Sequence, residues 1–429
     1  MNSLIKFFYP GVRLKRWLFL FILSFILFSI GISGMIGKGT LGINLPYIKT
    51  DKYFNPIRDL ILKSTKLVTI DIIVLILGAF GLYFVIKSFS RHLRALNPEK
   101  IDIVKVSYDE IKLQKGPKLV TLGGGTGLSS LLQGLKLFSS NITAVVTVAD
   151  DGGSSGRLRK ELRMPPPGDI RNCMVALADS SDLMGKIFQH RFHHKGKNLD
   201  GHSFGNLFIG ALTAITGSFE LAVRESGEIL TIRGRVVPVT LEKITLSAVL
   251  KNKKSIKGQS RITNIGKPIE RVFIHPAHPI PSSEFMEAIK KADLVVLGPG
   301  SLYTSVIPNL LVKNVALEIL RSKAKVVYIC NIMTQPGETR NYSAADHLDA
   351  LHKHVGVNIV DYIIVNNTSI PEELMNKYKK KQSAPVKIDA GKIAKMGIEL
   401  IEEDVVSLEG GFVRHDPEKL AKAIIRLTA

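Results

Sequence analysis

The chain has 429 residues, a formal net charge of +21 and only two cysteines. Its length exceeds that of one typical domain, and so few cysteines exclude a disulfide-stabilised fold. The positive charge would suit nucleic acid, but the chain carries no nucleic-acid-binding motif, so we exclude nucleic acid as a partner.

Two apolar runs near the N-terminus, residues 17–37 and 67–86, predict a transmembrane hairpin. Each has about 20 residues, which is enough to cross a bilayer as a helix. Basic residues flank the pair on both outer sides and would contact anionic membrane lipid. We therefore expect residues 1–100 to be a membrane anchor with its linker and residues 101–117 to be a polar lead-in. The rest of the chain is expected to face the cytoplasm.

From residue 118 onwards, short β-branched runs alternate with glycine turns and helical patterns. This alternation predicts an α/β fold with a doubly wound, mostly parallel Rossmann-like sheet in one domain at 118–429. Alternating runs at about 225–275 predict an antiparallel insertion. The insertion either covers the ligand crevice or mediates contact between copies in a homo-oligomer, and the sequence does not decide between these roles.

The first predicted strand breaks into a glycine turn that opens a helix. Glycines let the backbone turn tightly and bring its N–H groups close to an anion. The third glycine of the dinucleotide fingerprint is missing, which argues against an NAD site. The candidate phosphate-binding residues here are Gly123, Gly124, Gly125, Thr126 and Gly127.

The second predicted strand, residues 142–148, ends in two adjacent carboxylates, Asp150 and Asp151. One of them could hold a ribose hydroxyl. Both could hold Mg²⁺, which takes one or two carboxylates beside phosphate oxygens. Alternatively, Asp151 caps the next helix. The donors that follow are Gly152, Gly153, Ser154 and Ser155.

Three later segments add polar residues to the predicted crevice. A proline triplet presents a polar corner, a strand at 293–297 ends in Gly-Pro-Gly-Ser, and Tyr303 either stacks on the ligand or packs in the core. The run KYKKK at 377–381 is predicted to be a solvated surface. The candidate ligand-binding residues of these segments are Asp169, Arg171, Asn172, Asn206, Gly298, Gly300, Ser301, Tyr303 and Thr304.

Several long motifs give the chain a family resemblance from about residue 118 to 427. They are GGGTGLSSLLQGLK, TVADDGGSSGRLRKEL, PPPGDIRNCMVAL, HSFGNLFIGAL, LGPGSLYTSVIPNLLV and NIMTQPGET. Together they resemble the YvcK-type gluconeogenesis factors, which share a superfamily with the 2-phospho-L-lactate transferases (CofD). The GDIRN stretch resembles the gluconeogenesis-factor branch. The N-terminal hairpin departs from the soluble family pattern.

The resemblance implies binding of a nucleotide sugar, UDP-N-acetylglucosamine, and a role in cell shape and cell-wall synthesis during growth on gluconeogenic carbon sources. Cell-wall synthesis proteins are then the expected partners. Two hypotheses remain open. In one, the chain is a regulator that binds the ligand without turnover. In the other, it is a magnesium-dependent transferase that resembles the CofD enzymes, and Asp150 or Asp151 holds the metal.

Overall fold

The computed structural model describes most of the chain, namely residues 14–37, 68–95, 110–179, 182–193 and 199–428. The chain divides into two units, Met1–Ser107 and Tyr108–Ala429. The predicted loop between the two apolar runs lies outside the described residues. The predicted polar lead-in also lies outside them as far as residue 109.

The first unit contains two long helices, α1 (Leu14–Gly37) and α2 (Val68–Ala95). Their backbones approach closely because glycines lie in the seam between them. A Cβ atom built on Gly31 would lie 2.7 Å from the backbone nitrogen of Leu75. The two apolar runs therefore form a tightly packed helix pair.

No helix in the described part of the chain is long and apolar enough to cross a membrane. The predicted transmembrane hairpin and the predicted membrane localisation are therefore wrong. The prediction rested only on the number of apolar residues in each run and took no account of how the two helices pack. In α1 and α2 the seam glycines bring the two helices together.

The second unit, Tyr108–Ala429, contains the sheets. Its strands are β1 (Leu119–Gly123), β2 (Ile142–Val146), β3 (Arg235–Pro238), β4 (Thr245–Leu250), β5 (Ser255–Lys257), β6 (Ile269–His275), β7 (Leu294–Leu297), β8 (Lys325–Ile329), β9 (Tyr362–Asn366), β10 (Glu399–Glu403), β11 (Val406–Ser407) and β12 (Arg414–His415). Its helices are α3 (Gly125–Leu135), α4 (Gly153–Glu161), α5 (Gly168–Leu177), α6 (Asp182–Gln189), α7 (Phe204–Thr216), α8 (Phe219–Leu230), α9 (Gln259–Ile265), α10 (Ser283–Lys291), α11 (Ile307–Leu310), α12 (Val315–Arg321), α13 (Ala344–Val355), α14 (Glu372–Lys380), α15 (Ala390–Lys395) and α16 (Pro417–Ile425).

Seven strands form a sheet in the order β10-β9-β8-β7-β1-β2-β3, and every neighbouring pair is parallel. The strand order reverses between β1 and β7, because the chain adds β2 and β3 on one side and β8 to β10 on the other. Such a reversal is the topological switch point at which doubly wound folds bind ligands. The predicted parallel α/β fold is confirmed.

The antiparallel insertion is also confirmed, as a three-stranded sheet in the order β5-β4-β6. Its start was predicted too early. The run RVVP of β3 belongs to the parallel sheet, where Val236 pairs with Ala144. The error arose because a short β-branched run does not reveal which partner it will pair with.

Both faces of the parallel sheet are buried, as the apolar composition of its strands requires. In β7, Leu294 and Val296 belong to one core cluster, whereas Val295 and Leu297 belong to the other. The strand β10 differs, since it lies at one edge of the sheet and reads ELIEE.

Candidate functional site

Two glycine loops meet at the switch point, one after β1 and one after β7. A Cβ atom on Gly127 would lie 2.6 Å from the backbone oxygen of Pro299, and one on Gly300 would lie 3.4 Å from the backbone oxygen of Gly124. Only residues without a side chain permit this approach. Gly125 in addition has φ +64°, a left-handed conformation that favours glycine.

A cavity of about 570 Å³ opens beside these loops. This volume lies within the range of small-molecule sites. The cavity is lined by Gly124, Gly125, Thr126, Gly127, Ser130, Gln259, Thr263, Pro299, Gly300, Ser301, Thr304, Ser305, Asn331, Ile332, Met333, Thr334, Gln335, Pro336, Tyr378, Lys381, Ser383, Val413, Arg414 and His415. It therefore lies beyond the carboxyl ends of β1, β7 and β8, where ligands of such sheets bind.

Another cavity, of about 500 Å³, lies at the opposite edge of the sheet, where β8, β9 and β10 begin. Its charged residues include Lys325 and Asp361, which pair with each other at 3.0 Å. Its lining includes a single glycine, Gly397, rather than two glycine loops that face each other. The cavity at the switch point is therefore the candidate site.

The structure divides the predicted site residues into two groups. Those that line the cavity are Gly124, Gly125, Thr126, Gly127, Gly300, Ser301 and Thr304. Those that do not line it are Gly123, Asp150, Asp151, Gly152, Gly153, Ser154, Ser155, Asp169, Arg171, Asn172, Asn206, Gly298 and Tyr303. The loops after β1 and β7 thus line the cavity. The predicted ligand residues at 150–155 and 169–172 do not line it.

Tyr303 lies in the core, with 2% of its surface exposed. Its hydroxyl is 2.8 Å from that of Tyr342, and its ring contacts the ring of His354 edge to face. Of the two interpretations of Tyr303, the structure supports packing. Tyr378 is the aromatic residue that lines the cavity.

A buried carboxylate accepts two hydrogen bonds from the loop after β7. Glu338 accepts hydrogen bonds from the backbone N–H of Tyr303 at 3.2 Å and from the hydroxyl of Thr304 at 2.9 Å. Burial raises the pKa of Glu338. The β8 loop, which carries Glu338, therefore holds the β7 loop in place on the cavity wall.

Asp150 and Asp169 form an acidic pair next to the first glycine loop. A Cβ atom on Gly124 would lie 2.9 Å from Oδ2 of Asp169, and the Gly125 N–H donates to Asp169. Desolvation, together with the nearby charge of Asp150, raises the pKa of Asp169 to about 6. The charge of Asp169 therefore changes close to neutral pH, next to the first glycine loop.

Asp151 has a different role from its neighbour. Its Oδ1 accepts from the backbone N–H of Ser260 at 2.9 Å. Ser260 lies in the first turn of α9, so Asp151 caps a helix of the insertion rather than the helix that follows it in sequence. Asp151 thus caps a helix, as one of the two interpretations expected, but the helix is α9 and not α4.

Arg171 is the centre of a buried hydrogen-bond network that joins α4, α5 and α7. Its guanidinium donates to the hydroxyl of Ser203, to Oδ1 of Asn206 at 3.0 Å and to Oδ1 of Asn172 at 2.7 Å. Burial, followed by the charge of Arg191, lowers the pKa of Arg171 to about 10. With 5% of its surface exposed, Arg171 ties helices together rather than facing a ligand.

The network continues from Asn206 to Ser154, whose hydroxyl accepts from the Asn206 amide at 3.0 Å. The same hydroxyl lies 3.0 Å from Nδ1 of His202, which is 3% exposed. Burial lowers the pKa of His202. These residues hold the second glycine loop in a hydrogen-bond network that lies outside the cavity lining.

Sequence reasoning missed one wall of the cavity. Lys381, Arg414 and His415 come from segments that are far along the chain from the predicted ligand loops. The run at 377–381 was predicted to be a solvated surface, yet its last lysine lines the cavity. His415 Nε2 donates to the backbone carbonyl of Cys330 at 3.2 Å, and burial lowers the pKa of His415 to about 4. A possible signal was the basic Arg-His pair directly before the C-terminal helix.

No group of three or more His, Cys, Asp or Glu side chains that could hold a metal ion occurs among the described residues. Asp150 and Asp169 supply two carboxylates beside a phosphate loop, and this fits the one or two that Mg²⁺ takes when phosphate oxygens complete its shell. Asp151 is engaged with Ser260. Magnesium binding at Asp150 and Asp151 therefore remains a prediction, and Asp169 is a further carboxylate whose charge interacts with that of Asp150.

Comparison with known proteins gives the chain a family. The family model described as 2-phospho-L-lactate transferase CofD matches residues 119–406. The gluconeogenesis factor of Bacillus subtilis is 48% identical over 311 residues, which are 72% of this chain and 98% of that protein. A Clostridium acetobutylicum protein is 42% identical over 428 residues, 97% of this chain and 90% of that protein.

A solved structure agrees with this relationship. The crystal structure of a Bacillus halodurans protein superposes with a TM-score of 0.71 at 48% sequence identity, and the match covers 72% of this chain and 100% of the other. The chain therefore belongs to the CofD family and, within it, to the gluconeogenesis factors.

Proposed function

We propose that the chain binds a nucleotide sugar, UDP-N-acetylglucosamine, in the cavity at the switch point. In this proposal it acts as a regulator of cell shape and cell-wall synthesis without turnover, through cell-wall synthesis proteins as partners. The observation that carries the proposal is the contact between the loops after β1 and β7, where Gly127 meets Pro299. This contact supports the proposal, because backbone donors of both loops would then converge on one anionic group of the ligand. The names of the relatives support a role during growth on gluconeogenic carbon sources.

The residues around the cavity suit the parts of such a ligand. The glycine loops and the hydroxyls of Ser301 and Ser305 suit a diphosphate. Lys381 and Arg414 supply two exposed cations to the cavity lining, and Arg in particular binds phosphate with two parallel hydrogen bonds. Tyr378 offers a ring face that could pack on the base or the sugar.

Replacing Arg414 by alanine should weaken binding of UDP-N-acetylglucosamine about 10- to 100-fold, because charge-assisted hydrogen bonds contribute about 1.5–3 kcal/mol. The measurement is calorimetric titration of the full chain, with and without magnesium, followed by a search for product. Arg321→Ala is the matched control, since Arg321 is 73% exposed and pairs with Glu318 away from the cavity. Equal affinity in the wild type and the Arg414 variant would show that Arg414 does not bind the ligand.

The second candidate function is a magnesium-dependent transferase, and the acidic pair favours it. Asp169 lies next to Gly124 and Gly125, and the charge of Asp150 acts on Asp169; a bound cation could bridge the two carboxylates to a diphosphate. A protein that only binds the ligand has less need of this arrangement. The two functions predict opposite responses to pH.

Binding without metal should strengthen as the pH falls from 7 to 5, because Asp169 becomes protonated through a pKa of about 6 and stops repelling the diphosphate. Binding through magnesium should instead weaken, since protonation removes a ligand of the metal. Asp169→Asn should make the affinity independent of pH over this interval in either case. The measurement is the dissociation constant at half-unit steps of pH, with and without magnesium.

The same variant tests the raised pKa through stability. A carboxyl group whose pKa is higher in the folded than in the unfolded state contributes stability below its unfolded pKa, and this contribution is lost as the pH rises through 6. Asp169→Asn should therefore raise the free energy of unfolding at pH 7 by up to about 3 kcal/mol. Equal stability of both proteins at pH 7 would contradict the raised pKa.

A further inference from the structure

The insertion helix α9 is attached to the candidate site at both of its ends. At its start, the Ser260 N–H donates to Asp151 on the loop after β2. Just beyond its end, Gly266 packs against the loop after β8, where a Cβ atom on Gly337 would lie 2.7 Å from Gly266 Cα. Two loops of the carboxyl edge therefore hold α9 in one position next to the cavity.

Gln259 and Thr263 of α9 line the cavity. They are four positions apart, so they lie on the same face of the helix, one turn from each other. The Thr263 hydroxyl donates to the Gln259 carbonyl at 3.1 Å and keeps its lone pairs for another donor. Within the described part of the chain, the side-chain amide of Gln259 makes no hydrogen bond.

Two further amides line the cavity from the loop after β8. Oδ1 of Asn331 and Oε1 of Gln335 are both buried and have no hydrogen-bond partner among the described residues. A buried acceptor without a donor costs about 1–3 kcal/mol, and native structures rarely leave such an atom without a partner, whether protein, water or ligand. Because both side chains line the cavity, a rotation of either amide would turn its oxygen from this buried position towards a ligand that brings its own donors.

Nearby hydroxyls on the same wall are already occupied. Thr334 Oγ1 accepts from the Ala384 N–H at 3.0 Å, and the Ser383 hydroxyl donates to the Thr334 carbonyl at a short distance. Among the described residues of α9 and the loop after β8, the cavity-lining groups without a hydrogen-bond partner thus include the uncharged amides of Gln259, Asn331 and Gln335. Amides of this kind match the hydroxyl and acetamido groups of a neutral sugar, which both donate and accept.

We propose that α9 and the loop after β8 form the sugar subsite of the cavity, in which Asn331 and Gln335 accept from sugar N–H and O–H groups and Gln259 binds from the opposite element. This inference rests on the proposed function. It assigns the antiparallel insertion a role in ligand specificity, through a helix that is held in place by Asp151. The ligand class is an uncharged hexose or N-acetylhexosamine attached to a nucleoside diphosphate.

The test compares UDP with UDP-N-acetylglucosamine on the full chain. The wild type should bind the sugar nucleotide more tightly than UDP, and Gln259→Ala and Gln335→Ala should each reduce this preference about 5- to 10-fold. Affinity for UDP should stay within about 2-fold, which also shows that the variants are folded. Asn264→Ala is the matched control, because Asn264 is an exposed amide on α9 that does not line the cavity.

The outcomes separate the subsite from the proposed function. UDP binding with no gain from the sugar, or variants that weaken both ligands equally, would overturn the subsite and leave the nucleotide site standing. Failure of the wild type to bind either compound would overturn both proposals. A loss confined to the sugar nucleotide in both variants, with Asn264→Ala unchanged, would support the subsite.

Discussion

Gly127→Ala should weaken nucleotide-sugar binding about 10- to 100-fold, because forcing an extra methyl group into a filled space costs about 1–3 kcal/mol. The added Cβ atom would lie 2.6 Å from the Pro299 oxygen and 3.0 Å from the Pro299 carbonyl carbon. Both are backbone atoms and cannot rotate away. The two loops must therefore separate, and the donors that converge on the ligand separate with them.

The measurement is calorimetric titration of the full chain with UDP-N-acetylglucosamine. Gly391→Ala is the matched control, because a Cβ atom at Gly391 meets nothing within 4 Å and this glycine is not among those with positive φ. A wild-type affinity in Gly127→Ala would mean that the contact between the two loops does not shape the ligand site. A loss in both variants would indicate a general effect of replacing glycine.

Arg171→Leu should lower the free energy of unfolding by about 3–5 kcal/mol. The substitution deprives Ser203, Asn206 and Asn172 of their shared donor. Buried acceptors then lose the hydrogen bonds that replaced water, and each such loss costs about 1–3 kcal/mol. The effect should be on stability, since Arg171 does not line the cavity.

Urea denaturation, followed by the circular dichroism of the full chain, measures this change. Arg224→Leu provides the control, because its side chain is 57% exposed and its ion pair with Glu225 spans 3.9 Å; exposed pairs of this kind contribute about 0–1 kcal/mol. A loss in Arg171→Leu no larger than in the control would contradict the structural role of the network. Lost binding with unchanged stability would instead place Arg171 at the ligand.

Much of the fold could be predicted because its signals are local. Each strand of the central sheet is a short β-branched run, and the turns after β1 and β7 contain the glycines that a phosphate loop requires. The cavity wall formed by Lys381 and Arg414 could not be predicted in the same way. Its residues are brought to the site by contacts between distant segments, which leave no periodic pattern in the sequence.

The predicted ligand loops at 150–155 and 169–172 show a related limit of prediction from sequence. Asp151, Ser154 and Arg171 have the residue types of a ligand site, but the structure uses them to cap α9 and to connect helices. A hydrogen-bonding side chain serves a ligand and a scaffold equally well, and only burial separates the two uses. The N-terminal apolar runs were misread for the same reason, since composition alone does not specify what an apolar helix packs against.

The strand β10 has a consequence for assembly between copies of the chain. It ends the parallel sheet on one side and places Glu399, Glu402 and Glu403 within five residues. An open strand edge is a template for pairing with another chain, and charged side chains on it oppose such pairing. Two copies that joined edge to edge at β10 would align carboxylates against carboxylates, which is destabilising. Edge-to-edge pairing of two copies at β10 is therefore disfavoured.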